Sequence, residues 1–180
     1  MFKILDEVCT PTKGSKYSAC VDLYARKDVT MGAGETALVP LGVKIDLTKF
    51  ASFDEYHKEN FAFIILPEGQ EPFEAFKSSH YLQLMLRSSL GKKGLVLPNG
   101  VGVIDLDYKD EIMMIIHNPI TSSIDYQDGS TELLGALELR EYSIKSGDKI
   151  AQITLLEHKA HLFDIESEDE RTGGFGSTGK

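Results

Sequence analysis

Positive charge is scarce in this 180-residue chain: 19 lysines and arginines stand against 28 aspartates and glutamates, a formal net charge of −9. A broad nucleic-acid surface rests on phosphate neutralisation by Lys and Arg, so the balance argues against direct nucleic-acid binding. One small polyanionic ligand stays open to it, given a local basic pocket or a bridging metal ion. Cysteine is scarcer still. Cys9 and Cys20 are too few for a disulfide framework and lack metal-ligand spacing, so they read as reduced thiols. No apolar run approaches the roughly 18 residues of a membrane span, so no membrane is expected as partner. The opening Met1-Phe-Lys-Ile-Leu-Asp-Glu7 lacks the apolar stretch and small-residue cleavage site of a secretory signal. The expectation is a cytoplasmic protein. His57, His80, His117, His158 and His161 show no metal spacing, and no internal repeat is visible.

What is present is period-two alternation. Ala19 to Ala25, Glu35 to Val39, Gly42 to Leu47, Phe61 to Leu66, Tyr81 to Leu86, Glu111 to His117, Leu133 to Tyr142 and Lys149 to Leu156 all read as strands. Turn signals separate them: Met31-Gly-Ala-Gly34, Pro67-Glu-Gly69, Asp128-Gly129 and Ser146-Gly-Asp148. Many short strands at this spacing predict an all-β jelly-roll-like barrel or sandwich with little helix. A hydrophobic content of 42% over one domain's length suffices for a core. Ser52-Phe-Asp-Glu55 has capping-box form and predicts a two-turn helix into Tyr56-His-Lys-Glu59; Ser88 to Lys93 predicts about one more turn. Residues 49–79 and 120–142 read as excursions from the β core, the second hairpin-like.

One stretch organises the rest: Asn99-Gly-Val-Gly-Val-Ile-Asp105-Leu-Asp107-Tyr108-Lys-Asp110-Glu111. Its glycines permit a tight turn and close approach of the backbone to a ligand. In an extended chain Asp105 and Asp107 share one face, while Ile104, Leu106 and Tyr108 take the other. Carboxylates beside an apolar strand are costly unless paired, hydrated or employed in chemistry. The tail is different again. The acidic run from Asp164 to Arg171 precedes Thr172-Gly-Gly-Phe-Gly-Ser-Thr-Gly-Lys180, which cannot pack by itself. It reads either as a frayed end or as a lid over residues 164–180 that orders on a ligand. In a lid, Phe175 would stack on a flat group, while backbone N–H groups with the Ser177 and Thr178 hydroxyls would cradle phosphate oxygens.

Taken together these stretches resemble the trimeric all-β dUTP pyrophosphatases (dUTPases), with two insertions. That family carries five short motifs in fixed order. Their counterparts here are Ala19-Cys-Val-Asp22-Leu-Tyr-Ala25, Arg87-Ser88-Ser89-Leu-Gly-Lys-Lys-Gly94, Asn99 through Glu111, Gly147-Asp-Lys-Ile-Ala-Gln152, and Arg171-Thr-Gly-Gly-Phe175-Gly176-Ser177-Thr178-Gly179. The resemblance implies a β domain over residues 1–163 and hydrolysis of dUTP to dUMP and pyrophosphate. That reaction limits uracil incorporation into DNA and supplies dUMP for thymidylate synthesis. It further implies a homotrimer with shared sites, and a cytoplasmic location (the host's, if the chain is viral).

Roles carry over residue by residue. Asp105 would polarise the water that attacks the α-phosphorus. Arg87, Ser88 and Ser89 would hold phosphates, and Gln152 would either donate to phosphate or serve as a buried structural amide. Asn99, Gly100 and Val103 would line a slot reading the uracil edge, and Tyr108 would pack on the deoxyribose. Arg171, Phe175, Gly176, Ser177 and Thr178 would close over the substrate. Mg²⁺ would be the cofactor, with Asp22 holding it through water. The chain departs from the family pattern at three places: the fifth motif is one residue shorter, Lys149 stands where Arg is commoner, and Leu86 stands where Pro is usual. Ile112 to Ile116 reads as central-interface contact or as plain core. Two other readings stay open. One is dCTP deaminase, which shares the fold and an Arg-Ser-Ser motif. The other is a dUTP-gated regulatory protein that binds a protein partner through its insertions.

Overall fold

The computed structural model describes residues 1–47, 76–124, 135–138, 140–163 and 165. Its strands are β1 (Phe2–Ile4), β2 (Thr12–Lys13), β3 (Val21–Tyr24), β4 (Val29–Met31), β5 (Thr36–Pro40), β6 (Val43–Ile45) and β7 (His80–Leu86). They continue with β8 (Gly102–Asp105), β9 (Met113–His117), β10 (Thr121–Ile124), β11 (Gly135–Glu138), β12 (Tyr142–Ile144) and β13 (Lys149–Glu157). Helix among the described residues is confined to short turns, including α1 (Ser88–Gly91) and a 3-10 turn at Glu7–Cys9. The widest sheet runs β2-β3-β13-β7-β8, with antiparallel two-stranded ladders β1-β6, β5-β9, β4-β12 and β10-β11 around it. This is the all-β, jelly-roll-like arrangement that the alternation predicts. No helix among the described residues is long and apolar enough to cross a membrane.

The alternation sets the core directly. Along β9 and the residue before it, Ile112, Met114 and Ile116 are fully buried, joining Leu23, Val39 and Ile153. The intervening Met113 and Ile115 are only half-buried. They pair with Pro40 and Leu38 of β5, and Leu38 is 44% exposed. One face of this segment is therefore core and the other an open apolar strip. The residues expected as one strand from Leu133 to Tyr142 divide instead. Gly135–Glu138 pairs with β10, whereas Tyr142–Ile144 turns to β4. At the foot of this hairpin the Asn118 side-chain amide donates to the carbonyls of Met31, Gly32 and Arg140. The short strands β1, β2, β4 and β12 were too brief to show alternation. The helix expected over Ser52 to Glu59, the strand over Phe61 to Leu66, and the turns at Pro67 and Asp128 lie outside the described residues.

His80 opens β7 in a buried position, its ring stacked on Phe76 at 4.3 Å. Its Nδ1 lies 3.0 Å from Ser79 Oγ and 3.2 Å from the Phe76 carbonyl, and Glu157 approaches Nε2 at 3.9 Å. Burial pushes the imidazole below its ordinary value; the Phe76 carbonyl and Glu157 oppose that shift, while His158 and Lys159 add to it. The unfolded chain thus binds this proton more readily than the folded one. The resulting stability is complete above the unfolded value near 6.5 and is lost as pH falls through the lower folded value. Thermal melts of wild type and His80→Gln should therefore converge as pH drops from about 7.5 towards 5. A difference between the two proteins that does not change with pH would remove His80 from the acid response.

Candidate active site

The β3, β7 and β13 strands bring together side chains from three distant stretches. Asp22 and Gln152 are direct cross-strand partners, so their side chains leave the same face. Arg87 follows the end of β7, and its backbone N–H donates to the Ile150 carbonyl, which carries it to the same place. Asp22, Arg87 and Gln152 line one cleft of about 370 Å³, with Gly14, Ser18, Ala19 and Cys20 forming the near wall. Ser88 and Ser89 are exposed in the first turn of α1, where the leading N–H groups of a helix have no intrahelical acceptor. Cationic charge dominates. The Asp22 side chain is only 12% exposed; its Oδ1 lies 3.1 Å from Arg87 Nε and its Oδ2 3.2 Å from Lys149 Nζ. Two cations thus share one carboxylate, leaving a local surplus of one positive charge in an acidic chain.

A backbone irregularity puts Lys149 there. The β13–β3 register shifts between Lys149 and Ala151, so Ile150 is an extra residue. A bulge of this kind sets two residues against one and changes which face the chain presents beyond it. Ile150 and Ala151 are both buried in succession, and Lys149 falls opposite Tyr24, two residues from Asp22 on β3 and hence on its face. Lys149 Nζ sits 5.6 Å from the centre of the Tyr24 ring. Hydrogen bonds to Asp22 and then to Tyr24 hold the ammonium above its usual range. Sequence reasoning gave Lys149 no role, because nothing in the alternation of β13 announces the bulge.

The second group of expected residues lies elsewhere. Asn99 and Gly100 form an exposed turn closed by the Gly100 N–H to Leu97 carbonyl bond at 2.9 Å. Gly100 has φ +72°, and an added Cβ would meet nothing within 4 Å, so the turn's demand is for backbone conformation rather than space. Val103, Asp105 and Asp107 are exposed while Leu106 and Tyr108 are buried; β8 ends at Asp105, and the Tyr108 N–H closes a turn on the Asp105 carbonyl at 3.1 Å, so past Asp105 a turn rather than an extended chain makes this division. Tyr108 donates its hydroxyl to the Glu111 carbonyl at 3.3 Å. Glu111 is itself clamped: Oε1 accepts from the Gly42 N–H at 2.8 Å and Oε2 from Arg26 at 3.1 Å. Gly42 has φ +65°, and a Cβ there would fall 2.5 Å from Cys9, so the turn that offers its N–H to Glu111 requires glycine. Tyr108, Arg26, Lys44 and Asp110 line a second cleft of about 630 Å³.

The two groups are far apart within one chain. Asp105 on β8 is the cross-strand partner of Tyr81 on β7, and Arg87, just past the end of β7, lies six residues beyond Tyr81. At the rise of an extended chain the separation is about 20 Å. Arg171, Phe175, Gly176, Ser177 and Thr178 lie outside the described residues.

No protein-family model matches the chain. Individual proteins do. A deoxyuridine 5′-triphosphate nucleotidohydrolase from Haemophilus ducreyi is 31% identical over 190 residues, spanning 99% of this chain and 95% of that protein. One from Burkholderia mallei is 32% identical over 177 residues, spanning 94% and 88%. Among solved structures, a mutant dUTPase from phage phi11 of Staphylococcus aureus superposes with a TM-score of 0.57 at 21% identity, covering 96% of this chain and 97% of that one. That structure was determined to show the coordination of a structural Mg(II) ion.

Proposed function

The chain belongs to the dUTPase family, and on that premise we propose that it hydrolyses dUTP to dUMP and pyrophosphate at a site which copies of the chain complete for one another. The observation that carries the reading is the cationic cleft, where Asp22, Arg87 and Gln152 from three separate stretches line one cavity. A guanidinium, a side-chain amide and the leading N–H groups of α1 are a donor set suited to the oxygens of a polyphosphate. Asp105 acts as general base: it takes a proton from water as the water oxygen bonds to the α-phosphorus. The bond from that phosphorus to its bridging oxygen breaks, and pyrophosphate leaves with the electron pair. Arg87, Ser88, Ser89 and Gln152 hold the charge that develops on the departing phosphates. The Asn99–Gly100 turn and Val103 at the start of β8 read the uracil edge. The Arg171 to Thr178 segment closes over the substrate, Phe175 stacking on the base and Gly176, Ser177 and Thr178 on phosphate.

The donor set suits Mg²⁺ held chiefly by the triphosphate and its own waters. The described residues contain no cluster of three metal-ligand side chains, and both Asp22 oxygens already face cations. Asp22 would hold such an ion through water rather than directly, as Mg²⁺ coordination permits. When bound, the ion withdraws charge from the phosphate oxygens. The free state of Cys9 and Cys20 fits a cytoplasmic setting.

A 20 Å separation between Asp105 and Arg87 is too long for one α-phosphate to bridge, and this supports a homo-oligomer with shared sites. The half-open apolar strip of β5 and β9 supplies surface to bury between copies, and the trimer is the assembly we favour. Incubating the protein and Mg²⁺ with dUTP, dCTP, dTTP and UTP tests the reading. Pyrophosphate from dUTP alone is the expected result, and ammonia from dCTP would make it a deaminase. In the same assay Tyr108→Ala should raise the UTP rate relative to dUTP about tenfold or more, because the ring no longer crowds the 2′-hydroxyl. An unchanged ratio would move the sugar gate to another residue.

A further inference from the structure

We propose that Lys149 is a positioning residue for the triphosphate: it neutralises Asp22, so that Asp22 aims Arg87 into the cleft without holding it back. The proposal rests on the reading of the Asp22–Arg87–Gln152 cleft as the phosphate site. Asp22 is largely enclosed, and an enclosed carboxylate needs a partner. With Arg87 as sole partner, the two charges would cancel, and a phosphate approaching the guanidinium would have to strip that carboxylate bare. Lys149 removes the conflict. Its Nζ donates to Asp22 Oδ2 at 3.2 Å, while Arg87 Nε stands against the other oxygen, Oδ1, at 3.1 Å.

The ammonium is itself held in place. The bulge at Ile150 turns Lys149 to the Asp22 face, and the Tyr24 ring lies beneath Nζ. The Tyr24 hydroxyl is fixed in turn by Thr12 Oγ1 at 2.6 Å, which ties the ring to β2. When phosphate draws Arg87 away, Asp22 retains Lys149 as counter-ion, and the full charge of Arg87 acts on the substrate.

The test is calorimetric titration of the full-length protein with inorganic tripolyphosphate, without divalent metal. Lys149→Met should weaken binding about tenfold, and Lys149→Arg, which restores a cation, should recover most of the loss. In an Asp22→Asn background no carboxylate remains to neutralise, so adding Lys149→Met should change affinity by less than about twofold. An equal loss in both backgrounds would overturn the proposal by making Lys149 a direct phosphate ligand. Unaltered affinity in Lys149→Met would overturn it as well. In steady-state assays of dUTP hydrolysis, the Lys149→Met defect should fall on KM more than on kcat. Wild-type turnover of dUTP reports on the site itself. A wild type that hydrolyses dUTP, beside a Lys149→Met protein that binds tripolyphosphate normally, would remove Lys149 and leave the cleft standing.

Discussion

Asp105→Asn should bind a non-hydrolysable dUTP analogue within a few-fold of wild type while kcat falls about a thousandfold. The substitution is nearly isosteric and sits at the exposed end of β8, so it leaves the core untouched. What it changes is proton affinity. A carboxylate accepts the proton that water must shed as its oxygen bonds to phosphorus; a neutral amide orients the water but cannot take that proton. Asp105 is not among the residues that line the phosphate cleft, so ground-state binding survives. Calorimetry with the analogue and single-turnover kinetics with dUTP separate the two quantities. A kcat within tenfold of wild type would remove Asp105 from the chemistry.

Arg87→Met should have the complementary signature, a loss of about a hundredfold or more in kcat/KM with KM sharing the damage. The side chain is one-third exposed at the cleft, and methionine keeps an apolar stem of similar length, so the substitution removes charge more than apolar bulk. The cleft loses its local surplus of positive charge, because Lys149 remains committed to Asp22. Charge on the departing pyrophosphate then loses the one guanidinium that the cleft itself supplies. Steady-state kinetics over a range of dUTP concentrations checks this, and Arg87→Lys should recover only part of the activity, since an ammonium lacks the guanidinium fork. Full activity in Arg87→Met would transfer the phosphate grip to other residues.

Much of this was legible in the chain because β-structure writes itself as alternation. The burial of Leu106 and Tyr108 against the exposure of Asp105 and Asp107 matches a period of two, although past Asp105 it is made by a turn that the Tyr108 N–H closes on the Asp105 carbonyl. The same periodicity divides Ile112, Met114 and Ile116 from Met113 and Ile115, so the segment is core on one face and open strip on the other. Other features depend on departures from regularity. The bulge at Ile150 adds one residue to a strand whose hydrophobic pattern looks continuous, and only the pairing with β3 shows that Lys149 changes face. The break between Gly135–Glu138 and Tyr142–Ile144 is likewise decided by partners, β10 for one and β4 for the other. Two- and three-residue strands such as Thr12–Lys13 carry too few positions to show a period. The order of motifs brought Asp22, Arg87 and Gln152 under one heading; the cross-strand register showed that they share a cleft, and that Asp105 does not join it.

The most direct measurement mixes two inactive proteins. Asp105→Asn supplies an intact phosphate cleft and Arg87→Met an intact base. If each site takes Asp105 from one copy and Arg87 from another, unfolding and refolding an equal mixture should restore about a quarter of wild-type specific activity, the share of sites that receive both intact halves. A mixture that stays as inactive as its components at every ratio would contradict the shared site and return Asp105 and Arg87 to a single chain.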